Sequence, residues 1–219
     1  MGHWIPLETV HGAIRAWRAE PAVPPRGALV VVQEIFGVNA HVRAVVDRFA
    51  AHGYVAIAPA VFDHLEHDVQ LGYDAEGVAR GRELAQRLGF DRAVDDVKAA
   101  AEQVEDSGQV GVVGYCWGGS VAYLACARLG LPAVSYYGGR TVPFLHERPG
   151  APLLLHFGEH DPIIPPADVT RHREALPEAE IHVWPAGHGF NCDQRADYDE
   201  AVASQALERT LAFFGTHLA

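Results

Sequence analysis

A chain of 219 residues with 49% hydrophobic content can enclose a substantial core, which sets disorder aside and calls for no division into two domains. Its formal charge of -11 weighs against nucleic acid, whose phosphates need clustered lysine and arginine, and against an anionic membrane surface. MGHWIPLETV lacks the pattern of a secretory leader, and no apolar run approaches the roughly 20 residues that span a bilayer. Cys116, Cys126 and Cys192 are too few and too scattered for a disulfide framework, so a reduced, cytoplasmic protein is expected.

Short apolar runs alternate with helical patterns, which predicts a single α/β domain over residues 1–219 around a mostly parallel sheet. His11–Ala19 alternates weakly and predicts an edge strand or hairpin, with Pro21–Gly27 as its turn. Ala28–Gln33 reads as a buried strand, His41–Ala51 as an amphipathic helix, and Tyr54–Ala58 as a strand stopped by Pro59. Helices are expected over Ala75–Leu88 and Asp91–Glu105, a strand over Gln109–Val113, and a helix from Gly118 to about Leu129. Strands over Ala133–Tyr136, Pro152–Phe157 and Glu180–Val183 follow, then a terminal helix near Tyr198–Gly215.

Ligands and catalytic groups of open α/β sheets gather beyond the carboxyl ends of the strands. Past Val113 comes GYCWGGS, a strand-to-helix turn that lifts Cys116 between the small residues Gly114 and Gly118. Such a turn aims the thiol at the free amides of the next helix, which favour a thiolate and a developing oxyanion. A buried packing cysteine is the plain alternative, since cysteine is among the most buried residues.

A thiol also needs a base. The order nucleophile, acid, histidine points to Asp161 in GEHDPIIP and His188 in PAGHGF, each just past a strand. Asp161 would orient the imidazole and His188 would take the proton from sulfur. Asp-Pro is also an ordinary turn signal, and a loop histidine is often merely solvated. His182, on a strand, and His172, on a surface helix, look uninvolved. Glu34, past the first core strand, could contact the thiol or steer the imidazole. The backbone N–H groups of Ile35 and Trp117 are the expected oxyanion donors.

With QEIFGVN, GYCWGG, the HD of GEHDPIIP and AGHGF in place, the chain resembles the dienelactone hydrolase (carboxymethylenebutenolidase) family from about Ala28 to its C-terminal helix. The resemblance extends to VSYYGG and ERTLAFF. It implies an α/β-hydrolase fold without a large lid, a triad on Cys116, Asp161 and His188, and a thiol-contacting glutamate at Glu34. No metal or organic cofactor is implied. The implied reaction opens a lactone or ester through an acyl-thioester. A small-molecule substrate and a monomer or weak homodimer are expected. A carboxylated substrate would meet pocket arginines, with Arg80 the first candidate and Arg82 its alternative. The family's second arginine, four residues past the histidine, is replaced here by Cys192, and Arg195 lies slightly farther along. Cys192 is then a pocket-lining thiol or an inert neighbour, while Cys126 has the phase of a core residue.

Three other readings compete. DHLEHD sets His64 and His67 three residues apart beside acids, a possible zinc site that lacks a standard spacing. A ligand-binding protein could keep the fold without catalysis. An esterase or thioesterase of the same mechanism could act on a substrate without a carboxylate.

Overall fold

The computed structural model describes residues 1–218 as an eight-stranded sheet and six α-helices. In chain order these are β1 (His3–Thr9), β2 (Gly12–Ala19), β3 (Ala28–Val32), α1 (Ala40–Ala51) and β4 (Val55–Pro59). Next come α2 (Ala75–Leu88), α3 (Phe90–Glu102), β5 (Val110–Tyr115), α4 (Trp117–Leu129) and β6 (Ala133–Tyr136). The series closes with β7 (Leu153–Gly158), α5 (Pro166–Ala175), β8 (Glu180–Trp184) and α6 (Glu200–His217). The sheet order is β1-β2-β4-β3-β5-β6-β7-β8. β3 through β8 run parallel, while β2 pairs antiparallel with both β1 and β4.

Strands covered on both faces need no alternation, and β3 and β4 are buried at every position. Asparagine or aspartate side chains start three of the helices. Asn39 accepts from the Val42 amide at the head of α1, and Asp74 accepts from Gly77 at the head of α2. Asp199 does the same for α6 through Val202.

Two glycines of β5 show how the layers close. A Cβ at Gly111 would lie 2.7 Å from the Phe214 ring of α6, and one at Gly114 would lie 1.9 Å from the Gly118 carbonyl of α4. Positions three apart on a strand face opposite ways, so α6 and α4 cover opposite faces of β5.

The N-terminus departs from the expected pattern. His11–Ala19 does enter a hairpin, but its partner is β1 and its turn is Val10–His11, not Pro21–Gly27. β1 hides in HWIPLET because it is an edge strand with little apolar alternation. An edge strand also tolerates Pro6, which has no amide to donate.

Gly114→Ala is expected to cost more than ~3 kcal/mol in urea unfolding, because backbone atoms rather than a flexible side chain obstruct the methyl. Gly72→Ala, whose Cβ would meet its nearest neighbour at 3.7 Å, should stay within ~0.5 kcal/mol of wild type.

Candidate active site

β3 has β4 on one side and β5 on the other, so the chain reverses its direction of travel across the sheet there. A crevice opens at such a reversal. Glu34 and Ile35 follow β3, and Cys116 follows β5, on either side of it. Cys116 takes φ 54 and ψ -116, a region where a side chain is strained by ~1–3 kcal/mol. The strain persists because β5 and α4 meet through glycine. A Cβ at Gly118 would lie 2.3 Å from the Gln33 carbonyl, closing off any bulkier turn.

The loop after β7 and the loop after β8 reach the same point. His188 Nε2 lies 3.2 Å from Cys116 Sγ, and its Nδ1 lies 2.7 Å from Asp161 Oδ2. Asp161 Oδ1 accepts the amides of Ile163 and Ile164 at 2.7 and 3.2 Å, so the carboxylate is anchored by its own turn. The turn-forming aspartate and the histidine-facing aspartate are therefore one residue with two oxygens in use. Burial alone would depress His188, but hydrogen bonds to Asp161 and Cys116 outweigh it and raise its pKa to about 10.

Ile35 and Trp117 line a cavity of about 120 Å³ together with Cys116 and His188. Trp117 opens α4, so its N–H belongs to the first-turn amides that have no acceptor within the helix. Its ring is stacked on Phe90 at 5.8 Å.

Glu34 is 1% exposed, and its Oε1 accepts from Arg195 Nη1 at 3.1 Å rather than meeting the thiol. Its Oε2 is buried without a partner. Arg195 lines the cavity and crosses Gly189, where a Cβ would lie 2.7 Å from Nε. Gly189 also has φ 82, which glycine alone adopts freely.

The expectation for Arg80 is corrected. Arg80 does not line the cavity and instead pairs with Glu66 and with Glu83 at the surface. Arg82 does line it, with Val78 one helical turn earlier on the same face. Two residues on α2 turn the side chain by about 200°, which carries Arg80 away from the cavity.

His172 lies on the buried side of α5, 0% exposed, where it contacts Thr141, so the expected surface placement is wrong. Cys126 is in the core, its S–H directed at the Ala151 carbonyl at 3.2 Å. Cys192 is fully buried and does not line the cavity. The DHLEHD residues diverge: Asp63 binds Arg15, His64 binds Asp96 at 2.9 Å, and His67 is 78% exposed.

Tyr137 and Arg140 also line the cavity, and the sequence reading gave them no role. Tyr137 has φ 42 and its ring sits 5.1 Å from that of His188, edge to face. Its place directly after β6 was the signal that could have marked it. A larger hollow of about 710 Å³ lies at the opposite ends of β7 and β8, between Leu153, Leu176 and Phe213. Cys116 and His188 do not line it.

A parallel sheet with a strained strand-to-helix elbow, and a histidine and acid arriving from later strand ends, defines an α/β-hydrolase. Residues 14–218 match the dienelactone hydrolase family, and the chain belongs to that family. A carboxymethylenebutenolidase of Pseudomonas putida is 35% identical over 208 residues, covering 88% of this chain and 87% of that protein. A crystal structure from Klebsiella pneumoniae, assigned to the dienelactone hydrolases, superposes with a TM-score of 0.86. It is 29% identical and covers 98% of both chains. A serine hydrolase without a lid from Xanthomonas campestris shares the fold at a TM-score of 0.71 and 16% identity, covering 99% of this chain and 95% of that one. The protein is thus a hydrolase of this family, and no helix among its described residues is long and apolar enough to cross a membrane.

The His188 value has a direct test by nitrogen-detected NMR titration. Its pKa should lie above the ordinary imidazole range in wild type and fall in Cys116→Ala and in Asp161→Asn, which each remove one source of the upward shift. Because the folded value exceeds the unfolded one, the imidazolium contributes stability fully below pH 6.5, and this is lost as pH rises toward about 10. A titration unchanged by Cys116→Ala would show that sulfur and imidazole do not interact.

Proposed function

We propose that the protein opens enol-lactones or cleaves activated esters through an acyl-thioester on Cys116. The observation that carries this reading is the unbroken line Asp161–His188–Cys116, with steps of 2.7 and 3.2 Å, beside a cavity at the sheet's crevice. The named activity of the Pseudomonas putida relative supports the substrate class.

His188 Nε2 takes the thiol proton, and Cys116 Sγ attacks the carbonyl carbon. The tetrahedral oxyanion is held by the amides of Ile35 and Trp117, at the positive end of α4. Collapse breaks the carbonyl–oxygen bond of the ring, and the departing enolate recovers the proton from the imidazolium. Water, giving its proton to His188, then attacks the thioester and releases acid and thiol. Thiolate is itself a good leaving group, so the first adduct reverts unless the departing oxygen is stabilised. An enolate meets that condition and an ordinary alkoxide does not.

Arg82, Arg140 and Arg195 are among the residues that line the cavity. A substrate carboxylate there would compete with Glu34 for Arg195. Glu34 would then be free to share the thiol proton with His188. This arrangement favours a carboxylated lactone over a neutral ester, with Arg195 filling the role that Cys192 cannot.

Turnover on paired lactones and aryl esters, with and without a carboxylate, tests both parts. Cys116→Ala should lower kcat by roughly 10⁴-fold or more, and Cys116→Ser should reduce it greatly. Arg195→Ala should raise KM for carboxylated substrates alone, while Arg80→Ala should match wild type. Hydrolysis that survives Cys116→Ala would overturn the nucleophile. A neutral-ester preference indifferent to Arg82 and Arg195 would move the substrate class to plain esters. Stoichiometric lactone binding with no acid formed would make this a ligand-binding protein.

A further inference from the structure

Outside the line of Cys116, His188 and Asp161, three residues with metal-ligating side chains converge. His41 lies in the first turn of α1 and is 2% exposed, Cys192 is fully buried, and the Asp193 side chain is 54% exposed. One donor atom from each lies within 4.8 Å of the other two. Among the described residues this is the only such gathering of histidine, cysteine and acidic groups. An ion about 2.0–2.3 Å from each donor in tetrahedral array sets the donors roughly 3.3–3.8 Å apart, so closure of about 1 Å completes the set.

The imidazole already meets one of the other two donors. His41 Nδ1 lies 3.1 Å from Asp193 Oδ1, while Nε2 is buried with no hydrogen-bond partner. A buried ring nitrogen without a partner loses its hydration and receives nothing in return. None of the three residues lines the cavity beside Cys116.

We propose that His41, Cys192 and Asp193 bind a borderline divalent cation such as Zn²⁺, with water as the fourth ligand, at a site separate from the hydrolytic one. Thiolate, imidazole and carboxylate together select Zn²⁺ or Co²⁺, because Ca²⁺ and Mg²⁺ seek oxygen alone. On binding, the Cys192 S–H releases its proton to solvent, a metal–sulfur bond forms, and a metal-bound water departs. No electron is transferred.

The placement gives the ion a mechanical consequence. The Cys192 amide donates to the Gly189 carbonyl, and the Arg195 amide donates to the Cys192 carbonyl. Cys192 is therefore the hinge pin of the turn that runs from His188 to Arg195. A cation bridging it to His41 fastens that turn to the head of α1 and holds Arg195 in place over the cavity. The site is independent of which ester the protein cleaves.

Cobalt titration of the Cys116→Ala protein tests the proposal with the competing thiol removed. A thiolate-to-cobalt absorption band should saturate at one ion per chain, and adding Cys192→Ser should abolish it. Asp193→Asn, whose side chain is 54% exposed, should weaken binding by about 10-fold or more. Zn²⁺ should raise the thermal midpoint of Cys116→Ala but not that of Cys116→Ala with Cys192→Ser. A band that survives Cys192→Ser overturns the site, as does binding unaltered by both His41→Gln and Asp193→Asn. A band present in wild type and missing from Cys116→Ala would place the ion on the hydrolytic thiol instead, and a band missing from both would show that no thiolate site forms.

Discussion

The arrangement of this molecule turns on one backbone position. Cys116 occupies φ 54, ψ -116 at the junction of β5 and α4, and it can do so only because that junction is made of glycine. A methyl at Gly114 would strike the carbonyl of Gly118, and a methyl at Gly118 would strike carbonyls of Val32 and Gln33. Strand and helix thus approach more closely than side chains allow. The bend they form presents the thiol, with the first amides of α4 directly behind it. Once that point is set, the loops after β3, β7 and β8 need only be long enough to reach it. Parallel strands deliver their carboxyl ends to one edge of the sheet, so those loops begin within reach.

Electrostatics is organised around the same point in a way that whole-chain charge conceals. The protein carries -11 overall, yet three arginines line the small cavity. Glu34 balances one of them from below, at 1% exposure. A buried ion pair is weak support for stability, since desolvation consumes much of its attraction. Its second carboxylate oxygen has no partner at all.

Most of the architecture was legible because buried parallel strands are continuous apolar runs and their helices have one apolar stripe. The bounds read for α2 coincide with those observed, and β6 likewise. β1 was not legible, since HWIPLET has neither a run nor clean alternation, and its pairing is supplied by β2 rather than by its own side chains. In the site, chain order and position after a strand were enough to bring out Cys116, Asp161 and His188, which converge in space. Arg80 was misread for want of helical phase. Gly77, Gly81, Leu84, Ala85 and Leu88 mark the buried stripe of α2, and Val78 and Arg82 adjoin it on the cavity side. Gly81 approaches the Ile35 carbonyl so closely that a Cβ there would lie 2.2 Å away, which pins that phase. The Glu34–Arg195 contact joins residues 161 apart in sequence, and no local pattern announces such a pair.

The raised pKa of His188 is tied to the sulfur at the bend. The sulfur is itself part of the cause, since the hydrogen bond and the charge of Cys116 both raise the imidazole. A thiol gives up its proton more readily than a hydroxyl, so the imidazolium–thiolate pair is an accessible starting state. On the proposed reading, that state is already charged for attack and already carries the proton that the departing oxygen needs. The departing enolate takes that proton, and His188 becomes neutral at the moment water must be activated. On that reading the imidazole takes and returns one proton in the first half of the reaction and serves as base in the second, oriented by an Asp161 that two amides hold.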